Sequence, residues 1–309
     1  MFSEDWSSHI KIDRSLVLSQ LNQHFVNVDH KLTLRFYTLK PSGTQMLMDG
    51  LCTILHDNLP YYVYGDKQLA DLGPIRAALR SAHYFGHKDP NTDGKYGELL
   101  LFMLVESLLG CKMVAHKIRA LTNVVDQVKG GDGIFIGNYD VAGIPHPAYL
   151  IGESKVTASF SNALSEALFS LNRFHEGPEA GIFREHELII AKEFLRTIDT
   201  DPDELYDRLT PTSDAFKQQV VVHPTLLMYK LNRFTKLCQD SLTHDELQTN
   251  IEKLFLGKEK RMLETIKNKV APYSSLKTVY LDFFIFPCDS VDTFRKLMYQ
   301  KIHAAPYSS

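Results

Sequence analysis

The chain has 309 residues, 44% hydrophobic and 23% charged, and its 34 basic and 37 acidic side chains leave a formal net charge of −3. That length can bury a sizeable core, and that composition belongs to globular proteins rather than to disordered or collagen-like chains. The charge balance excludes a polycation, so any nucleic acid must meet a local basic patch or be supplied by a partner. The four cysteines, Cys52, Cys111, Cys238 and Cys288, form no CxxC pair. This argues against a zinc ribbon and for the reduced thiols of a cytoplasmic protein. The N-terminus lacks the apolar stretch of a secretory signal, and no run of about 18 apolar residues predicts a membrane span.

In chain order, "KLTLRFYTLK" (31–40) alternates and is rich in β-formers, so it predicts a strand. Residues 42–59 predict a helix, "YYVYG" (61–65) a short strand or extended piece, and 74–85 a helix opened by Pro74. "HKDPNTDGK" (87–95) is turn-rich. The very apolar "YGELLLFMLVESLLG" (96–110) predicts a helix stopped at Gly110. Strands follow at 111–120, in "GIFIGNYD" and in "AYLIGESKV", then helices at 161–177 and 186–198. The acidic segment 199–214 reads as loop with a short helix. Residues 216–229 hold a strand, and 243–270 are helical, with Thr243 and Glu246 set as a capping box. The chain ends in strand, turn and helix.

Within this pattern stand three polar residues in apolar surroundings. Glu153 and Lys155 are two apart in a strand, so they project from one face. Asp132 begins the neighbouring strand, and pairing brings it to the same end of the sheet. Glu98, at the start of the preceding helix, is a candidate fourth member. Carboxylates beside a backbone carbonyl suit a hard cation such as Mg²⁺ or Mn²⁺. A lysine among them keeps its charge and can orient water or meet charge developing on a phosphorane. Each residue also has a plainer reading. Glu98 can serve as a first-turn acid on the helix dipole, Asp132 as a turn residue, and Glu153 with Lys155 as the solvated face of an edge strand.

The order Glu98, Asp132, Glu153-Ser154-Lys155 in a helix–strand–strand–helix context resembles the PD-(D/E)xK nuclease pattern, with Gly131 where the pattern has its proline. The fold class expected is therefore α/β: a PD-(D/E)xK nuclease-like core of helix, mixed sheet and helix, elaborated at both ends. The blocks are 1–90 (N-terminal elaboration), 91–230 (core) and 231–309 (helical and strand–helix elaboration), making one compact unit. The run "YGELLLFMLVESLLG", "GGDGIFIG", "YLIGESKV", "SFSNALSEAL" is further similar to the HamA family, the nuclease subunits of Hachiman anti-phage defence. The resemblance covers residues 90–180 well, extends to "VYLDFFIFPCDSVDTFRKLMYQKIH" and matches no motif in the first 90. It implies a metal-dependent DNase paired with a HamB-like superfamily 2 helicase. Glu153, Lys155, Asp132 and Glu98 then have catalytic roles, and Asp132, Glu153 and Glu98 are metal ligands. The alternatives are a non-cutting subunit that regulates a helicase, and a hydrolase of a small phosphoester.

Other candidates carry less. His83 and His87 share a helix face but lack the glutamate of HExxH. "SSLK" (274–277) has the S-x-x-K spacing without its companion motifs, and no Walker A motif is present. Lys112, Lys117, Arg119 and Lys129 against Asp126, flanked by Lys95 and Arg173 and with His116 on the same expected strand, form a candidate phosphate-contacting patch.

Overall fold

The computed structural model describes residues 6–86, 89–91, 94–115, 131–176 and 202–307. Its first block holds α1 (Arg14–Gln20), β1 (Leu21–Asp29), β2 (Leu32–Leu39), α2 (Asp49–Asp57), α3 (Leu59–Val63) and α4 (Asp66–Phe85). Next come α5 (Lys95–Leu104), β3 (Lys112–Ala115), β4 (Gly133–Val141), β5 (Ile144–Thr157) and α6 (Phe160–Asn172). They are followed by α7 (Pro202–Arg208), α8 (Asp214–Lys217) and β6 (Val220–Lys230). The chain closes with α9 (Arg233–Asp240), α10 (His244–Phe255), α11 (Glu259–Val270), β7 (Tyr280–Cys288) and α12 (Val291–His303).

All seven strands join one mixed sheet in the order β1-β2-β7-β6-β5-β4-β3. Strands β2, β7, β6 and β5 run parallel, while β1 at one edge and the β4–β3 pair at the other are antiparallel. The central strands β6 and β7 are buried almost throughout, as strands covered on both faces must be. Around β5 the chain runs helix, three antiparallel strands, helix, parallel strand: α5, β3, β4, β5, α6, β6.

Past its first turn helix α5 is apolar all round because it lies inside, and Tyr96, Gly97 and Leu99–Leu104 are all buried. It reaches β5 through Gly97. A Cβ there would stand 2.8 Å from Val156 Cγ2 and 3.2 Å from Ser154 Oγ, so only glycine permits this approach. Beyond α5 the backbone widens into a π-type turn over Val105–Leu109 and stops at Gly110, whose φ is +68°. Ser159 caps α6, its Oγ accepting from the Asn162 N–H at 3.3 Å. Phe174, just past α6, packs in a second cluster with Ile151, Ile134 and Trp6 on the face of β5 away from α5.

The predicted strand at 31–40, the helix at 74–85 and the closing strand–helix are present, and the helix expected at 161–177 runs Phe160–Asn172. Four readings change. The aromatic "YYVYG" opens inside α3, where Pro60 at the first turn sets a helix that overrides β-propensity. The helix expected from 42 starts at Asp49. Strand β1, rich in Asn, Gln and His, escaped the pattern because it is an edge strand with a polar face. Glu246 makes only half of the capping box: Thr243 Oγ1 accepts from its N–H, but its carboxylate accepts from Leu242, one residue before the cap. The helix expected at 186–198 lies outside the described residues, as do residues 116–120 of the expected strand 111–120.

Candidate active site

Strand β5 alternates strictly at its C-terminal end. Gly152, Ser154 and Val156 turn toward α5, so Glu153 and Lys155 project from the opposite face. Glu153 is 2% exposed, and the Lys155 ammonium lies on its Oε1. The lysine side chain remains about a quarter exposed (24%). In the parallel ladder Glu153 stands beside Thr225 of β6, itself fully buried.

Asp132 sits one residue ahead of β4. Its N–H donates to the Gly152 carbonyl at 2.8 Å, although Gly133 is the residue in register with Gly152. This contact carries the hairpin one residue past the start of β4. It turns the Asp132 carboxylate onto β5, where Oδ2 accepts from the Ser154 N–H at 2.6 Å and from Ser154 Oγ at 2.7 Å. Asp132 is 6% exposed. Two adjacent β5 residues are thus each tied to a carboxylate: Glu153 carries one, and Ser154 anchors the other.

Glu98 lies in the first turn of α5, next to the Gly97 contact with Ser154, and its Oε2 accepts from the Tyr62 hydroxyl at 3.2 Å. It therefore belongs to the helix on the Ser154 side of the sheet. Among the described residues, no three His, Cys, Asp or Glu side chains gather closely enough to hold a metal ion on their own.

Three neighbours were not legible beforehand. The first is Ser154, the middle residue of the triplet. The second is Arg295 of α12, which donates Nη2–H to the Val156 carbonyl at 2.8 Å and so pins the end of β5. The third is a histidine pair behind Glu153. His223 Nδ1 is 3.1 Å from the Ile151 carbonyl oxygen, an acceptor, so Nδ1 carries the proton. His223 Nε2 then accepts from His175 Nε2–H at 2.7 Å. Burial, reinforced by His175, pushes His223 down to about 3. A histidine inside the apolar run "VVVHP" is the one sequence signal that could have marked it.

The expected phosphate patch changes. Lys112 is 6% exposed and its Nζ is 3.4 Å from buried Glu106, so it serves an internal pair rather than a surface. Lys95 donates to the Phe85 carbonyl and Arg173 to Ser170 Oγ. His87, His116, Lys117, Arg119, Asp126 and Lys129 lie outside the described residues. Ser274 Oγ of "SSLK" bonds Glu176. The four cysteines are unbridged thiols. Among the described residues no helix is long and apolar enough to cross a membrane.

A family model for HamA matches residues 15–302. The chain belongs to the HamA family. That places it with proteins of Hachiman defence and extends the resemblance far beyond residues 90–180, across the first block and the closing strand–helix. No curated protein matches it.

Proposed function

We propose that this chain is a metal-dependent deoxyribonuclease with a PD-(D/E)xK core, the cutting effector of a defence system, restrained by a HamB-like superfamily 2 helicase. The observation that carries this reading is the end of β5. There a glutamate only 2% exposed bears a lysine ammonium two residues on, beside an aspartate fixed to the intervening serine. The run α5–β3–β4–β5–α6–β6 and the family membership support it. A buried glutamate at a strand end gains nothing in stability over an apolar residue, so a chemical role is the better account of it.

The donors fit a magnesium or manganese ion: all are hard oxygens, from the Asp132 and Glu153 carboxylates and the β5 backbone. Magnesium is commonly bound by one or two carboxylates together with waters and substrate phosphate, so a cage of three acids is not required. Bound there, the ion would polarise the scissile phosphodiester and hold water. Asp132 and Glu153 would be its ligands, with Glu98 supporting from α5. Lys155 would leave Glu153 for the attacking water or for charge developing on phosphorus. Ser154 and Arg295 would keep β5 still while this happens.

The test is cleavage of DNA by the purified chain with Mg²⁺ or Mn²⁺. Glu153→Ala and Lys155→Ala should each abolish cutting while the protein stays folded, and excess EDTA should stop the wild type. Equal cutting by wild type and variants would defeat the reading. A folded wild type that binds the helicase and never cuts would leave a regulatory subunit instead. For the restraint, the complex with the helicase should cut intact DNA more slowly than the chain alone.

A further inference from the structure

Among the described residues several cations are paired with acids. Lys267 reaches Asp29, Lys301 reaches Asp49, Arg295 reaches Asp292, Arg208 reaches Glu204 and Arg35 reaches Asp282. Arg233, Lys258 and Arg261 are different. They come from the start of α9, the residue preceding α11 and the first turn of α11. Phe234, the neighbour of Arg233, packs against Phe255 with ring centroids 6.0 Å apart, and Phe255 is the ring under the Lys258 ammonium, so the three cations share one corner of the surface. Among the described residues none makes an ion pair. Arg233 and Arg261 are exposed, and Lys258 is half-buried with its ammonium over the Phe255 ring at 5.4 Å. The lysine feels the crowding: burial first, then the nearness of Arg233 and Arg261, holds it below the usual lysine range.

The backbone adds to the same sign. Neither α9 nor α11 has a side-chain cap at its N-terminus, so their first N–H groups keep positive potential there. The first turn of α9 has no acid. That of α11 has one, Glu259, and its Oε1 accepts from Asn27 of β1. Like charges brought together without counter-charge cost stability, and an anionic partner repays that cost.

The position favours one anion. Arg233 lies three residues past Lys230, the C-terminal end of β6. In the parallel ladder Tyr229, one residue before that end, lies beside Thr157, two residues past Lys155. Phe36, Ile285, Leu227 and Lys155 stand in one row of the parallel strands, and Phe255 packs on Phe36 with ring centroids 4.6 Å apart, so the cluster lies along the row of Lys155, three strands away. We infer that Arg233, Lys258 and Arg261 form a second nucleic-acid contact, gripping backbone phosphates of the DNA whose cleavage is proposed for the end of β5. The ligand rests on that nuclease reading. Two arginine forks and one ammonium suit phosphate oxygens and read no bases, in keeping with a cutter without sequence preference.

The experiment is fluorescence anisotropy with a labelled DNA duplex and the matching single strand, in EDTA so that nothing is cut, over a range of salt. The full-length chain is compared with Arg233→Gln/Lys258→Gln/Arg261→Gln, and with Arg233→Glu/Arg261→Glu, which spares the half-buried lysine. Wild type should bind. The triple variant should bind about tenfold more weakly at moderate salt, and the slope of log affinity against log salt should shrink by about two to three. Unchanged affinity and slope in both variants would overturn the inference, as would a wild type that binds neither DNA. Loss of helicase binding with DNA binding intact would also overturn it, by assigning the cluster to an acidic protein surface. The nuclease reading fails separately: a chain that binds DNA through this cluster and never cuts loses only the chemistry.

Discussion

Two buried acid–base pairs lie in one sheet and look alike on paper: Glu153 with Lys155, and Asp282 of β7 with Arg35 of β2. Asp282 is wholly buried. Arg35 donates to it from Nε at 2.8 Å and from Nη2 at 3.0 Å, and the Tyr139 hydroxyl donates at 2.8 Å. Rigid donors from two other strands fix that carboxylate, and the guanidinium beside it keeps its charge firmly. Glu153 instead meets a lysine of its own strand, a compact charge on a flexible stem that is about a quarter exposed. The first pair ties three strands together. The second joins two residues of one strand. A buried ion pair is no mark of an active site. The proposed chemistry asks of the second pair what it does not ask of the first: that its cation leave.

The sharpest way to break the comparison is Glu153→Gln. Cleavage should fall by at least about a hundredfold, the usual scale for a lost acid–base or ligand group. Thermal melting should barely move, because Lys155 can turn its head to water. A large melting shift would show that this pair is architecture like the other.

Asp282→Ala is the reciprocal case. It strands Arg35 and the Tyr139 hydroxyl in the interior, and should cost about 3–5 kcal/mol in urea unfolding, as broken buried pairs do. Full stability in this variant would show that the three-strand network is dispensable.

The contrast also explains what was legible. Glu153 and Lys155 could be paired from the sequence because a strand's period of two links neighbours in the chain. Asp132 could be placed because β4 and β5 form one hairpin. Arg35 and Asp282 could not, since their strands meet only through the parallel β2–β7 pairing. The side on which Glu98 falls was equally hidden, because it depends on how α5 docks. Edge strand β1 was lost because half-covered strands at a sheet edge carry polar residues on their open side. Ser154 was legible as a backbone carbonyl between two charges, but not as the N–H and Oγ that hold Asp132.

A smaller effect sharpens the docking of α5. Gly97→Ala gains up to about 1 kcal/mol of helix propensity. The new methyl meets Val156 Cγ2 at 2.8 Å, and a β-branched side chain on a strand has little room to yield. Overpacking should prevail, leaving a net loss of about 1–2 kcal/mol in unfolding. Cleavage should weaken too, since the Ser154 that anchors Asp132 is pushed by the same methyl. A more stable and fully active variant would mean that α5 can slide off β5 at no cost.

The smallest effect is a pH dependence that sets the histidine pair apart from both ion pairs. His223 is neutral in the folded chain because burial, with His175 beside it, lowers it to about 3, whereas an unfolded histidine titrates near about 6.5. Between those values the unfolded chain binds one more proton than the folded one, so stability rises with pH across the window. Its contribution is complete above about 6.5 and is lost as pH falls toward about 3. The slope approaches about 1.4 kcal/mol per pH unit once well inside the window. His223→Gln keeps donors and acceptors for the Ile151 carbonyl and His175 and removes the titration. Urea unfolding from pH 7 down to pH 5 should therefore lose about 1–2 kcal/mol less stability in the variant than in the wild type. Parallel curves for the two proteins would mean that His223 takes up its proton inside the folded sheet, which would place a positive charge behind Glu153 and give the carboxylate a second cation to answer to.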